Sequence, residues 1–186
     1  MLFLAWRCGR EIQILKGSLS VGVAILVTVA LFTGCVNKNE SRQAPGFDIT
    51  LYGSEDYELG DSYNFNPANT SPLILNFWFP SCPPCVAEMP EINSVYERYK
   101  TILDVVGIQL VGLDSIEDGE KFVAENRISY AVGADLDGQI SVDYGVSVFP
   151  TTIFISHEGK IIRTWQGMIT ETEIGEIMES ELNISE

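Results

Sequence analysis

Leu73-Ile74-Leu75-Asn76-Phe77-Trp78-Phe79-Pro80-Ser81-Cys82-Pro83-Pro84-Cys85 runs from an apolar segment straight into two cysteines with two prolines between them. Residues 73–79 are apolar apart from Asn76, the pattern of a central strand buried on both faces. The residues after Cys82 can start a helix. Proline is tolerated in a first turn, because the N–H groups there have no partner inside the helix. Cys82 then falls at a helix N-terminus, where free N–H groups and the macrodipole favour an anion. A thiolate is such an anion and is the reactive form of cysteine. A strand feeding a Cys-x-x-Cys helix start is therefore a place for thiol–disulfide exchange.

Two other uses of the pair are weaker. Zinc needs about four ligands, and the remaining candidates are Cys8, Cys35 and His157. Cys8 and Cys35 lie in a predicted export segment, so the ligand count fails and no metal is expected. A purely structural bridge across so short a loop restricts the unfolded chain little.

The 186 residues, 46% of them hydrophobic, suffice for one domain with its own core. Arg7, Arg10 and Lys16 precede an almost unbroken apolar run over 19–32, which ends in Phe32-Thr33-Gly34-Cys35. Charge, apolar core and small residues in that order predict a secretory signal peptide over 1–34. The last four residues resemble a bacterial lipobox, in which Cys35 is lipidated and becomes the mature N-terminus; Phe32 stands where leucine is commoner. An uncleaved membrane anchor and ordinary cleavage are the alternatives, and all three place the domain outside the cytoplasm. The segment before Lys16 is long for a signal, so a later translation start is also open. Residues 35–46 are polar and end in Pro45-Gly46, predicting a flexible tether. The domain is expected over 47–186. Residues 35–186 hold 8 Lys+Arg against 25 Asp+Glu, a net charge of −17. Such a surface is soluble and repels nucleic acid and anionic headgroups.

Further along, 47–52 reads as a strand and 53–71 as turn-rich and loosely structured. A helix is predicted over 83–100, with Pro90 kinking it. A buried strand follows at 103–113, then a helix near 117–126 capped by Ser115, with Phe122 and Val123 facing inward. A short strand near 130–133 and a short helix near 139–144 come next. Strands at 152–155 and 161–165 flank a hairpin turn at His157-Glu158-Gly159-Lys160. Thr170 and Glu173 form a capping box for a last helix ending near Leu182. The alternation predicts an α/β domain with a central mixed sheet covered by helices.

At this point the residues resemble the thioredoxin superfamily, most of all its extracytoplasmic TlpA/ResA-type branch of thiol–disulfide oxidoreductases. The resemblance spans about residues 45–182. It is carried by Asn76-Phe77-Trp78 leading into Cys82-Pro83-Pro84-Cys85, and by Glu88 three residues after the second cysteine. It is carried also by Tyr144-Gly145-Val146-Ser147-Val148-Phe149-Pro150-Thr151-Thr152, followed by Glu158-Gly159-Lys160. Residues 103–144 fit the extra strand–helix insertion of this branch. Ser81 departs from the pattern, since the family usually has tryptophan before the first cysteine. Asn76 stands where ordinary thioredoxins carry a buried aspartate, and asparagine cannot move a proton as aspartate can; asparagine is common in this branch.

These features assign expected roles. Cys82, at the exposed helix start, is the attacking thiol, and the more buried Cys85 resolves the mixed disulfide. Pro83 and Pro84 stiffen the active-site loop and remove two N–H groups, so Cys82 is expected to be less acidic than in strongly oxidising members. The resemblance implies that Glu88 is a partly buried general base for Cys85; by itself it reads as a solvated helix glutamate like Glu91 or Glu97. Phe149-Pro150 looks like the family's cis-proline site, with the Val148 backbone pairing to an extended substrate as an added strand. Trp78, Phe79 and Phe149 form an apolar rim for the partner, although Trp78 reads equally well as core. His157 is expected to be exposed and inert, and no cofactor pattern is present.

The expected activity is disulfide reduction on exported proteins, apocytochrome c among them, by a membrane-tethered monomer that draws electrons from a transmembrane thiol donor. A thioredoxin-fold peroxidase would place a threonine before a single reactive cysteine, and Phe79 and Ser81 do not supply it. A copper-delivery module would space its cysteines by three and add a histidine, which this chain does not.

Overall fold

The structure, a computed structural model, describes residues 42–68 and 71–184. The predicted signal segment, Cys8, Cys35 and the tether up to residue 41 lie outside the described residues. The elements run β1 (Phe47–Thr50), β2 (Ser62–Phe65), β3 (Leu73–Trp78), α1 (Pro83–Tyr99), β4 (Asp104–Leu110), α2 (Ile116–Glu125), β5 (Ala131–Asp135), α3 (Gln139–Tyr144), β6 (Thr151–Ile155), β7 (Ile161–Gln166) and α4 (Glu171–Ile177). A π-helical turn, Met178–Leu182, continues α4. No helix among the described residues is long and apolar enough to cross a membrane.

Five strands form one mixed sheet in the order β5-β4-β3-β6-β7. β4 runs parallel to β3 and to β5, while β6 is antiparallel to β3 and to β7. β3 lies at the centre, and all six of its residues are buried. Successive side chains on a strand point to opposite faces, and β3 uses both. Ile74 and Trp78 pack with Met89 and Ile92 of α1, Val123 of α2 and Ile174 of α4. Leu73, Leu75 and Phe77 pack instead with Phe47 and Ile49 of β1, Phe65 of β2 and Tyr144 of α3. Asn76 shares the parity of Ile74 and Trp78, so it is directed toward α1.

β2 was not expected from the sequence. It pairs antiparallel with β1 and buries only Phe65, whose ring stacks on Phe47 at 5.3 Å. The β1–β2 hairpin meets the large sheet where Tyr52 donates its N–H to the Val132 carbonyl. Gly133 permits this approach: a Cβ there would lie 2.5 Å from the Thr50 carbonyl oxygen.

The expected tether ends earlier than predicted. The Ala44 N–H bonds the Gly159 carbonyl and the Ile161 N–H bonds the Arg42 carbonyl. The Tyr144 hydroxyl donates to the Pro45 carbonyl at 2.6 Å, and Ala44 is buried. Residues 42–46 therefore belong to the domain, because three hydrogen bonds tie their backbone to it. Ser115 and Thr170 each form a full capping box, with Asp118 and Glu173 as partners. α1 continues through Pro90 as one element.

Candidate active site

Cys82 is the N-cap of α1, with extended backbone, and Pro83 and Pro84 occupy the first two helical positions. Neither proline has an N–H, so the first donor that α1 presents is the Cys85 amide. It reaches Cys82 Sγ at 3.3 Å. Sequence reading accounted for the two donors lost here and missed the one that remains. Cys82 and Cys85 are joined by a disulfide, with their Cα atoms 5.3 Å apart. Cys82 is 5% exposed and Cys85 0%. The order matches expectation, but Cys82 is far less open than the term exposed helix start implied. Its sulfur is bonded inward to Cys85, which lies on the core-facing stripe of α1.

That stripe also holds Glu88. The buried residues of α1 are Cys85, Glu88, Met89, Ile92, Val95 and Tyr96, a spacing of three and four that defines one helix face. Glu91 and Glu97 fall off it and are exposed. Glu88 Oε1 accepts a hydrogen bond from Asn76 Nδ2 at 2.6 Å, and Oε2 accepts the Ile169 N–H at 2.9 Å. Burial pushes the Glu88 pKa up to about 7, with these two donors pulling against the shift. The same Asn76 nitrogen donates to Thr152 Oγ1 at 3.1 Å, across the β3–β6 register. Asn76 Oδ1, Trp78 Nε1 and the Tyr130 hydroxyl are buried with no hydrogen-bond partner among the described residues. Burial first, then the Glu88 carboxylate, raises the Tyr130 phenol well above its ordinary range.

The register of β3 against β4 and β6 brings several loops to the end of the sheet that carries Cys82. The Phe149–Pro150 peptide is cis, and Pro150 is buried. Val148 beside it is 46% exposed, and its carbonyl already accepts the Thr151 hydroxyl at 2.7 Å. A docked strand would have to share that acceptor. Phe79 and Phe149 are half-buried, their ring centroids 5.3 Å apart. Trp78 corrects the expected rim. It is fully buried, its ring 5.3 Å from that of Phe122, because the parity of β3 turns it onto α2.

Three participants went unread in the sequence. Thr152 was traceable in principle, since it is the cross-strand partner of Asn76. The Ile169 amide and Asp114 carry no local signal. Asp114 Oδ2 accepts from both the backbone N–H and the hydroxyl of Ser81, at 3.0 and 2.8 Å.

A dithiol held at a helix start beside a buried carboxylate can cycle between thiols and disulfide, and the protein is a thiol–disulfide oxidoreductase of thioredoxin-like fold. The chain belongs to the AhpC/TSA family, whose sequence profile matches residues 41–164. It is 31% identical over 165 residues to the thiol-disulfide oxidoreductase ResA of Halalkalibacterium halodurans, covering 86% of this chain and 91% of that protein. The ResA of Bacillus cereus is 30% identical over 159 residues, covering 82% of this chain and 86% of its own. The crystal structure of StoA from Bacillus subtilis shares the fold. Its TM-score is 0.61 at 23% identity, over 70% of this chain and 94% of that one.

Proposed function

We propose that the protein is a membrane-tethered extracytoplasmic reductase of disulfides in exported proteins, apocytochrome c among them. The observation that carries the reading is Glu88, a carboxylate buried on the same helix face as Cys85 with its pKa near 7. A negative charge there opposes a nearby thiolate, which favours the disulfide over the dithiol and makes the couple a donor of electrons.

In the proposed cycle the Cys82 thiolate attacks one sulfur of the substrate disulfide. A mixed disulfide forms, and the first substrate thiolate leaves and takes a proton. Glu88 then accepts the Cys85 proton. The Cys85 thiolate attacks Cys82 Sγ, the Cys82–Cys85 bond forms, and the second substrate thiolate is released. Two electrons have passed to the substrate, and a transmembrane thiol donor restores the dithiol. Phe79, Phe149 and the Val148–Pro150 segment are the proposed contact for an extended substrate segment. Lipidation of Cys35 is the proposed tether.

The midpoint potential of the Cys82–Cys85 couple, measured in glutathione or dithiothreitol buffers, tests the direction. A value near that of thioredoxin, about −270 mV, is expected. A value approaching about −120 mV would overturn it in favour of disulfide formation. Peroxide consumption is expected to stay at background. Lipidation is expected to show as a diacylglyceryl mass on an N-terminal peptide beginning at Cys35; a peptide that still carries the residues before Cys35 would indicate an uncleaved anchor.

A further inference from the structure

We propose that Asp114 is a positioning residue for the redox loop: its carboxylate clamps Ser81, and its charge disfavours the Cys82 thiolate. The proposal rests on the reading of Cys82 as the attacking thiol.

The clamp is made of two bonds to one oxygen. Ser81 directs its backbone N–H and its hydroxyl at Asp114 Oδ2, and the next residue is Cys82. Asp114 is itself held. The residue after it, Ser115, is the N-cap of α2, whose capping box with Asp118 is complete. On its other side Gly112, at φ 138°, sends its N–H toward the Asp114 carbonyl. The loop between β4 and α2 thus presents a fixed carboxylate to the residue that precedes the reactive cysteine. Such a contact narrows the positions open to Cys82 and favours ring closure with Cys85.

The charge acts in the same place. The loops at this end of the sheet, 79–82, 111–115, 136–138, 145–150 and 167–170, contain no Lys, Arg or His, and Asp137 is their one acid besides Asp114. Asp114 forms no ion pair among the described residues. Glu88, buried on the same face of α1 as Cys85, adds a carboxylate on the core side. The helix start favours the Cys82 thiolate, and Asp114 opposes it from the solvent side.

Asp114→Asn keeps an acceptor for Ser81 and removes the charge, whereas Asp114→Ala removes both. Cys82 ionisation is read from the pH profile of its alkylation in a Cys85→Ser background. Ring closure is read from the disulfide-exchange equilibrium with glutathione in the full chain. Asp114→Asn is expected to raise the thiolate-to-thiol ratio of Cys82 about threefold, and the rise should fade in 1 M salt, where the screening length is about 3 Å. Its ring closure should weaken by no more than that same factor, because the thiolate it favours belongs to the reduced form. Asp114→Ala should show the same rise and, in addition, ring closure weakened severalfold beyond that of Asp114→Asn. Ser81→Ala, which keeps the charge and loses one bond, should weaken ring closure without raising the thiolate fraction. An Asp114→Asn variant with unchanged ionisation, or with a shift indifferent to salt, would overturn the electrostatic role. Ring closure in Asp114→Ala equal to that in Asp114→Asn would overturn the clamp. A couple found at the oxidising end of the scale would count against the reductase reading alone, since the Asp114 effects are differences from the parent.

Discussion

Glu88 is half-protonated near neutral pH, because burial lifts its pKa to about 7 against the pull of Asn76 and Ile169. The folded carboxyl holds its proton more tightly than the unfolded one, whose value is 4.5. Between those values the folded state binds more protons, so this group lowers stability as pH rises through the window, by roughly 3 kcal/mol once pH passes 7. Glu88→Gln should remove that slope. Its amide can accept from Ile169 and donate to Asn76 Oδ1, the acceptor now without a partner. Thermal melts should show the variant gaining about 1–3 kcal/mol over the parent at pH 8 and nothing at pH 4; parallel pH curves would mean that ionising Glu88 costs the fold nothing. The same variant should resolve mixed disulfides more slowly at pH 7, by at least about tenfold if Glu88 takes the Cys85 proton. By itself Glu88 reads as a solvated helix glutamate, and the resemblance alone implied its burial; the helical spacing it shares with 85, 89, 92, 95 and 96 is what buries it. Asp114 was not readable, because its partner Ser81 is 33 residues away and meets it only once β3 and β4 pair in parallel.

The elements that local chemistry specifies were legible, and those that tertiary pairing specifies were not. Ser115 and Thr170 stand where an N-cap is needed, each three residues before a carboxylate, and both capping boxes form. The prolines of α1 fit its first turn for the same local reason. β2 has four residues, one of them buried, and pairs only because β1 offers it an edge. Nothing within 62–65 distinguishes it from a loop. The last helix carries a prediction that links structure to chemistry. Thr170→Ala removes the side-chain acceptor of the Glu173 N–H and should cost about 1 kcal/mol. Thr170 follows Ile169, whose amide holds Glu88, so the variant should also raise the Glu88 pKa by weakening a donor. Carboxyl titration followed by NMR would detect that rise, and an unchanged titration with the stability loss intact would separate the cap from the site.

Across the whole molecule, the order of strands and helices, β2 apart, and the location of the redox pair followed from the sequence, while the boundary of the domain did not. Residues 42–46 are polar and end in Pro-Gly, so composition reads them as linker; their hydrogen bonds go to residues about a hundred positions away, which composition cannot register. A chain starting at Arg42 should therefore keep full stability in urea melts, and one starting at Phe47 should lose about 2–4 kcal/mol from the missing bonds and the uncovered hairpin. The sheet has a second property of this scale. β3 divides its residues between two compartments: even positions supply Asn76 and Trp78 to the side of the redox pair, and odd positions supply Leu73, Leu75 and Phe77 to the side of the hairpin. Robustness and reactivity are consequently governed by separate sets of positions on one strand. Leu75→Ala should lower the melting stability by about 2–5 kcal/mol and leave the midpoint potential where it was. Mutation can then drift along the odd positions under selection for durability alone, while the even ones stay answerable to electron transfer.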